Sequence, residues 1–217
     1  MLIFVGKKSS MIPVTVYSEM TPNPSTMKFV ANKYLLPTGA SVEFESKSSA
    51  KGFSPLAEAL FDFPFVSKVF IAANFITIAK TDNVPWDFIT MELREFIREW
   101  ISFSKEVLIA MPSQEQSFES NEQHLDVVNM ESIVSKSFES SEFDEAIIDL
   151  LDQYVRPAVA NDGGAIDYLG FSQGTVTVLL KGSCAGCPSS TATLKGGIEN
   201  LLKQHIDAVK EVVAFNQ

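Results

Sequence analysis

Residues 163–198 read GGAIDYLGFSQGTVTVLLKGSCAGCPSSTATLKGGI, and this stretch decides the fold of the second half of the chain. Its segments 166–171 and 175–181 are rich in β-branched, aromatic and other apolar residues, which predicts two strands. Ser172-Gln173-Gly174 between them predicts a short hairpin turn, because glycine readily adopts positive φ angles. A helix follows, and its apolar positions recur at helical spacing: Leu194, Ile198, Leu201, Leu202 and Ile206.

Another helix is predicted upstream of the hairpin. Its apolar residues recur in steps of three and one: Phe143, Ala146, Ile147, Leu150, Leu151, Tyr154 and Val155. Ser141 followed by Asp144 approximates a capping box at its start, and Pro157 is expected to kink or end it. Asp162-Gly163-Gly164 then predicts a turn. With residues 209–215 as a last strand, the predicted order is α-β-β-α-β.

The first hundred residues predict strands of their own. Residues 14–18 suit a strand, and 27–32 alternate in polarity like a strand that is buried on one face. Between them, the two prolines of Thr21-Pro22-Asn23-Pro24 impose a turn, because each fixes its φ angle and restricts the residue before it. Residues 69–78 predict a hairpin around Ala72-Ala73-Asn74.

Two helices are predicted in the same region. Ser54-Pro55 favours a helix start, with serine as the N-cap and proline at the first helical position. Pro85 opens a second helix, whose buried face is expected to contain Ile89, Leu93, Phe96, Ile97 and Trp100. No residues here have catalytic spacing, so we interpret the aromatic side chains as core.

Charge divides the chain into domains. The formal net charge is −10, and residues 103–142 carry six of these ten net negative charges. That block is rich in Ser, Gln, Asn and Glu and cannot bury enough apolar surface to offset its ordering entropy. We therefore predict two small α+β domains on a flexible acidic tether: an extension at 1–13, a first domain at 14–103, a linker at 104–140 and a second domain at 141–217.

Composition excludes several classes of function. An acidic chain repels phosphate backbones, so nucleic acid is not an expected partner. The longest uncharged apolar stretch, 69–79, is too short to cross a bilayer, so no membrane association is expected. No Walker loop, dinucleotide fingerprint or nucleophile elbow is present, so the chain is not expected to be an enzyme. Residues 1–8 resemble neither a signal peptide nor a transit peptide, which predicts a cytoplasmic protein.

The two cysteines, Cys184 and Cys187, carry the chemistry. A C-x-x-C pair in a chain of this kind indicates metal or redox chemistry. Cys187 is placed to be the N-cap of a helix with Pro188 at its first position, and the positive end of the helix dipole lowers the pKa of a thiol there. Gly182 and Gly186 are expected to let backbone N–H groups approach sulfur closely, which would tune a bound cluster.

Three uses of this pair stay open at this point. The first use is an iron–sulfur site. A closed iron–sulfur or zinc site needs four protein ligands, and one chain supplies two cysteines, so a two-fold dimer would supply four. A thiol–disulfide oxidoreductase is the alternative, although it is expected to carry the motif after the first strand of a βαβ unit, whereas here a hairpin precedes it. A zinc-bridged structural dimer is the third, because sulfur ligands suit both metals. His124 and His205 are not expected to be ligands.

Four stretches of the second domain resemble the C-terminal domain of NifU and the Nfu proteins: Val155-Arg156-Pro157, Asp162-Gly163-Gly164, Gly182 to Ser190 and Thr193 to Glu199. The N-terminal domain of the Nfu proteins is similar at Thr21 to Pro24, Lys28-Phe29, Phe75 to Lys80 and Trp86. The resemblance implies an iron–sulfur cluster scaffold or carrier. It would bind a 4Fe–4S cluster between two protomers through Cys184 and Cys187. An upstream cluster-assembly scaffold and downstream apo iron–sulfur proteins are the implied partners.

Overall fold

The computed structural model describes residues 13–112, 140–185 and 188–216. These residues divide into two units, one made mainly of residues before 112 and the other mainly of residues after 139. Their strands form two sheets, which confirms the predicted α+β class with two small domains. Most of the predicted extension at 1–13 and of the predicted linker at 104–140 lies outside the described residues. In the part of the chain that is described, no helix has the length and apolar character needed to cross a lipid bilayer.

The first unit contains a five-stranded sheet with the order β1-β2-β5-β4-β3. Its strands are β1 (Val16–Met20), β2 (Thr26–Ala31), β3 (Ser41–Phe44), β4 (Val66–Ala72) and β5 (Phe75–Lys80). The predicted β4–β5 hairpin is confirmed: the strands are antiparallel, and Ala72 pairs with Phe75. The first strand begins two residues later than predicted.

Strand β2 is buried along its whole length, so the prediction of a half-buried strand is wrong. The strand lies between β1 and β5, and neighbours therefore flank it on both sides. Lys28, the charged residue that suggested a solvent-facing side, is itself buried. Its Nζ lies 3.0 Å from an oxygen of Glu19 and 5.0 Å from the centre of the Phe75 ring, so its charge is compensated inside the fold.

Within residues 13–112, three helices accompany this sheet: α1 (Lys47–Ala50), α2 (Pro55–Leu60) and α3 (Trp86–Ser102). The predicted cap of α2 is confirmed, because the Ser54 hydroxyl oxygen accepts a hydrogen bond from the Ala57 N–H at 3.1 Å. Helix α3 begins directly after Pro85, as predicted. Ile89, Leu93 and Ile97 are buried as expected, whereas Phe96 and Trp100 are half-buried, with their ring centres 5.7 Å apart.

The second unit follows the predicted α-β-β-α-β order. Its elements are α4 (Asp144–Leu150), a π-helical turn (Leu151–Val155), α5 (Arg156–Asn161), β6 (Gly164–Ser172), β7 (Thr175–Gly182), α6 (Pro188–His205) and β8 (Glu211–Asn216). The predicted hairpin is confirmed, with Ser172 paired to Thr175. Gln173 and Gly174 form its two-residue loop and both have positive φ angles, of 52° and 94°. This is the turn geometry that best matches the twist of paired strands.

Helical structure in the first part of this unit continues past Pro157 to Asn161. Of the two outcomes predicted at Pro157, a kink or an end, the end is therefore wrong. Four residues recur at intervals of four along the buried face of this helical segment: Ile147, Leu151, Val155 and Val159. In a regular α-helix, four residues advance the chain by about 40° more than a full turn, so such a row would drift off one face. The wider π turn compensates for this drift. It also changes the hydrogen-bond spacing just before Pro157, which has no N–H group to donate within the helix.

Strand β8 pairs with β7 in parallel, and α6 makes the crossover between them. The three-stranded sheet therefore combines one antiparallel and one parallel pair, in the order β6-β7-β8. The core of the unit draws on α4, the π turn, α5, α6 and the strands β6, β7 and β8. It contains Ile147, Leu151, Val155, Val159, Ile166, Val176, Val178, Leu180, Cys184, Ile198, Leu202, Ile206, Val209 and Val212.

Candidate metal centre

The C-x-x-C motif lies where the sequence places it, between β7 and α6. Strand β7 ends at Gly182, which pairs with Gly164 at the start of β6. Cys184 follows two residues later, and α6 begins at Pro188. Cys187, like Gly186, lies outside the described residues, so its assignment as a ligand and N-cap stays a prediction.

Hydrogen bonds hold the chain on both sides of Cys184. The Ser183 N–H donates to the carbonyl oxygen of Gly163 at 3.2 Å, which joins the loop to the start of β6. The Ala185 N–H donates to the carbonyl oxygen of Gly182 at 3.1 Å, and this closes a tight turn around the cysteine. Gly182 has a φ angle of 66°, a conformation that a residue with a side chain rarely adopts.

The sulfur of Cys184 rests against the backbone of Gly164. A Cβ atom built on Gly164 would lie 2.8 Å from this Sγ and 2.7 Å from the carbonyl oxygen of Lys181, both closer than real Cβ contacts. Position 164 therefore has no room for a side chain while the sulfur occupies this place.

The role of Gly164 was missed from the sequence, which placed it in a turn with Gly163. Only Gly163 has the positive φ angle of a turn residue, at 83°. Gly164 is already part of β6. Since a glycine inside a strand often marks a close approach of another group, the second glycine of the pair was the available signal.

Burial sets the protonation of Cys184. The residue is 7% exposed, and burial raises the pKa of its thiol to about 11, with the nearby Asp162 carboxylate acting in the same direction. The predicted lowering of a thiol pKa concerned Cys187, which is not described. The environment of Cys184 acts in the opposite direction, so the expectation of a site that favours thiolates is wrong for this cysteine. A metal that binds here must displace a proton.

The donor chemistry of the loop fits a soft metal or an iron–sulfur cluster, because both prefer sulfur ligands. Within the described ranges, no group of three or more His, Cys, Asp and Glu side chains could hold a metal ion. His205 lies at the end of α6, with its Nδ1 3.0 Å from the carbonyl oxygen of Leu201 and its ring facing Tyr154. His124 lies outside the described residues.

The connection that follows β7 bears on the oxidoreductase alternative. A hairpin before the motif, taken alone, disfavours the βαβ context of a dithiol oxidoreductase. Strand β7, helix α6 and strand β8 nevertheless form a parallel crossover, with the cysteine loop after its first strand. A strand can be the second arm of a hairpin and the first strand of a crossover, because it has two edges. The topology is therefore compatible with both cluster binding and thiol–disulfide exchange.

Comparison with known proteins identifies the class of this two-domain chain. Residues 16–104 match the family model described as "Scaffold protein Nfu/NifU N terminal". Residues 147–213 match the model described as "NifU-like domain". The chain belongs to the Nfu/NifU-like family.

Its relatives include two named mitochondrial proteins. "NifU-like protein 4, mitochondrial" of Arabidopsis thaliana is 34% identical over 91% of this chain and 64% of its own length. "NFU1 iron-sulfur cluster scaffold homolog, mitochondrial" of Drosophila persimilis is 32% identical over 98% of this chain and 67% of its own length. The chain thus spans about two thirds of the length of these relatives. Their names contradict the expectation of a cytoplasmic location.

Proposed function

We propose that this chain is an iron–sulfur cluster scaffold and carrier and not an enzyme. The observation that carries the proposal is the agreement of both domain matches with the position of the motif. The chain matches the N-terminal and the NifU-like family models in sequence order. The match to the NifU-like model spans residues 147–213, and it therefore includes the loop in which Cys184 lies between β7 and α6.

The cluster is proposed to be a 4Fe–4S cluster shared by two protomers through Cys184 and Cys187. The support is stoichiometric: the chain has two cysteines, whereas clusters of this type are held by about four thiolates. A two-fold dimer brings two copies of one loop together and completes that ligand set. A cluster held between subunits can leave when they separate, which suits storage and transfer.

The proposed partners follow from this role. A cluster-assembly scaffold would supply the cluster, and apo iron–sulfur proteins would receive it. The relatives' names favour mitochondria as the place where this occurs. Fractionation of cells that produce the native protein tests the location: enrichment with mitochondrial markers is expected, and recovery only with other compartments would contradict it.

A thiol–disulfide oxidoreductase remains the second candidate, and the β7-α6-β8 crossover is the observation that favours it. An attacking cysteine must be an accessible thiolate. Cys184 is instead almost completely buried and lies against Gly164. This geometry suits a metal ligand better than a thiol that exchanges with a substrate disulfide. A dimer bridged by zinc is a further outcome that metal analysis distinguishes.

Cysteine variants test the site. The wild type, Cys184→Ser, Cys187→Ser and the double variant are reconstituted anaerobically with iron and sulfide. Bound iron, bound sulfide and visible absorbance are then measured, with far-ultraviolet circular dichroism as the control for folding. The double variant is expected to keep its fold and to bind no cluster. A folded double variant that still holds iron and sulfide would exclude these cysteines as ligands.

A further inference from the structure

Thr191 connects the first turn of α6 to the cysteine loop. Its hydroxyl donates to the backbone carbonyl oxygen of Cys184 at 3.2 Å, and the residue is half-buried. A threonine inside a helix commonly bonds the carbonyl group three or four residues earlier in its own helix. Thr90 of α3 does so, with its hydroxyl 2.7 Å from the carbonyl oxygen of Trp86. The hydroxyl of Thr191 instead reaches seven residues back, to a carbonyl group outside its helix.

This bond ties Cys184 directly to α6. One end is the carbonyl group of Cys184, and the other is the Thr191 side chain in the first turn of the helix. On the opposite side, the Ser183 N–H is already bonded to Gly163. Cys184 is therefore attached to the turn just before β6 through its preceding neighbour, and to α6 through its own carbonyl group.

We propose that Thr191 is a positioning residue for the cluster, and that it acts by fixing the backbone of Cys184 relative to the start of α6. The inference rests on the proposed scaffold function. A cluster imposes a fixed geometry on its thiolates, and a loop that already has this geometry loses less conformational freedom on binding. Groups that orient metal ligands without touching the metal typically change metal affinity by about 10-fold to 100-fold.

The test compares Thr191→Val, which removes the hydroxyl at nearly constant shape, with Thr191→Ser, which keeps it. Reconstituted proteins are mixed with an iron chelator, and the loss of the visible absorbance and visible circular dichroism of the cluster is followed. Thr191→Val is expected to lose its cluster about 10-fold faster than the wild type, whereas Thr191→Ser should stay within about twofold. Thr90→Val is the matched control, because it removes a similar bond in the other unit; its cluster should leave at the wild-type rate.

A second measurement does not depend on the cluster. In a Cys187→Ser background without metal, Cys184 is the one remaining cysteine, and its alkylation by iodoacetamide reports how often the loop opens. Thr191→Val is expected to accelerate this reaction several-fold, whereas Thr191→Ser and Thr90→Val should not. The proposal would be overturned if Thr191→Val left the alkylation rate of Cys184 unchanged. It would also be overturned if Thr191→Ser accelerated alkylation as much as Thr191→Val does. A wild type that binds no cluster would instead overturn the scaffold function, and the alkylation rates would still decide the role of Thr191.

Discussion

The environment of Cys184 is built from contacts that are distant in sequence. The sulfur rests against Gly164, twenty residues earlier, and the loop that carries it is bonded to Gly163 and to Thr191. These contacts bury the thiol and favour its protonated form. The fold thus holds the cysteine in a defined place, and under the proposed function a metal that binds its sulfur would replace the thiol proton.

Replacement of Gly164 tests the position of the sulfur. Gly164→Ala is expected to lower the free energy of unfolding by about 1–3 kcal/mol, because an added methyl group in a closely packed place forces its neighbours to move. Gly196→Ala is the control: its added Cβ meets nothing within 4 Å and lies inside α6. It should raise stability by about 0.5–1 kcal/mol. Urea unfolding of metal-free protein measures both, and a Gly164→Ala variant as stable as the wild type would contradict the structure of the site.

The buried thiol also predicts a dependence of stability on pH. The pKa of Cys184 is raised from 9.0 to about 11 in the folded protein, so the native state keeps a proton that the unfolded chain loses. Its stabilising contribution is complete below about pH 9 and is lost as the pH rises towards 11, by on the order of 2 kcal/mol. Urea unfolding of wild type and Cys184→Ala across this range should show their difference in stability narrowing. A constant difference would contradict the assignment.

At the scale of elements, the parts determined locally are the parts that the sequence predicted correctly. The Ser54 cap, the start of α3 after Pro85 and the Gln173-Gly174 hairpin all depend on residues close in sequence. The full burial of β2 and the parallel pairing of β7 with β8 depend on strands far apart in the chain. The π turn depends on how the buried residues from Ile147 to Val159 pack against the core. No local pattern specifies these three features.

Hydrogen bonds to Asp144 connect β6 to the start of α4, and their contribution to stability can be measured. The Tyr168 hydroxyl of β6 donates to one oxygen of Asp144 at 2.6 Å, and the Ser141 N–H donates to the other at 2.9 Å. Tyr168→Phe is expected to lower the free energy of unfolding by about 1–2 kcal/mol, because the bond is made to a charged group. Tyr34→Phe is the matched control, since Tyr34 is 69% exposed; its effect should stay within about 0.5 kcal/mol. Equal effects of the two substitutions in urea unfolding would show that the Tyr168–Asp144 hydrogen bond does not contribute to the free energy of unfolding.

At the scale of the whole molecule, the sequence predicted the two α+β domains and their family, but only part of the site. The motif can be recognised from the sequence because C-x-x-C followed by proline is a local pattern. Gly164 and Thr191 are recognisable only after folding has brought β6, β7 and α6 together. The expected location failed for a different reason. It relied on the residues at the start of the chain, whereas the relatives' names point to mitochondria.

Under the proposed function, two copies of this chain share one cluster through Cys184 and Cys187. Anaerobic reconstitution, with iron, sulfide and molar mass measured on the same sample, tests it most directly. We expect a coloured dimer with about four irons, hence about two per chain, that returns to cluster-free protein when the iron is chelated. A colourless monomer that cycles between dithiol and disulfide, a colourless dimer that holds only zinc, or a complete cluster on a single chain would contradict it.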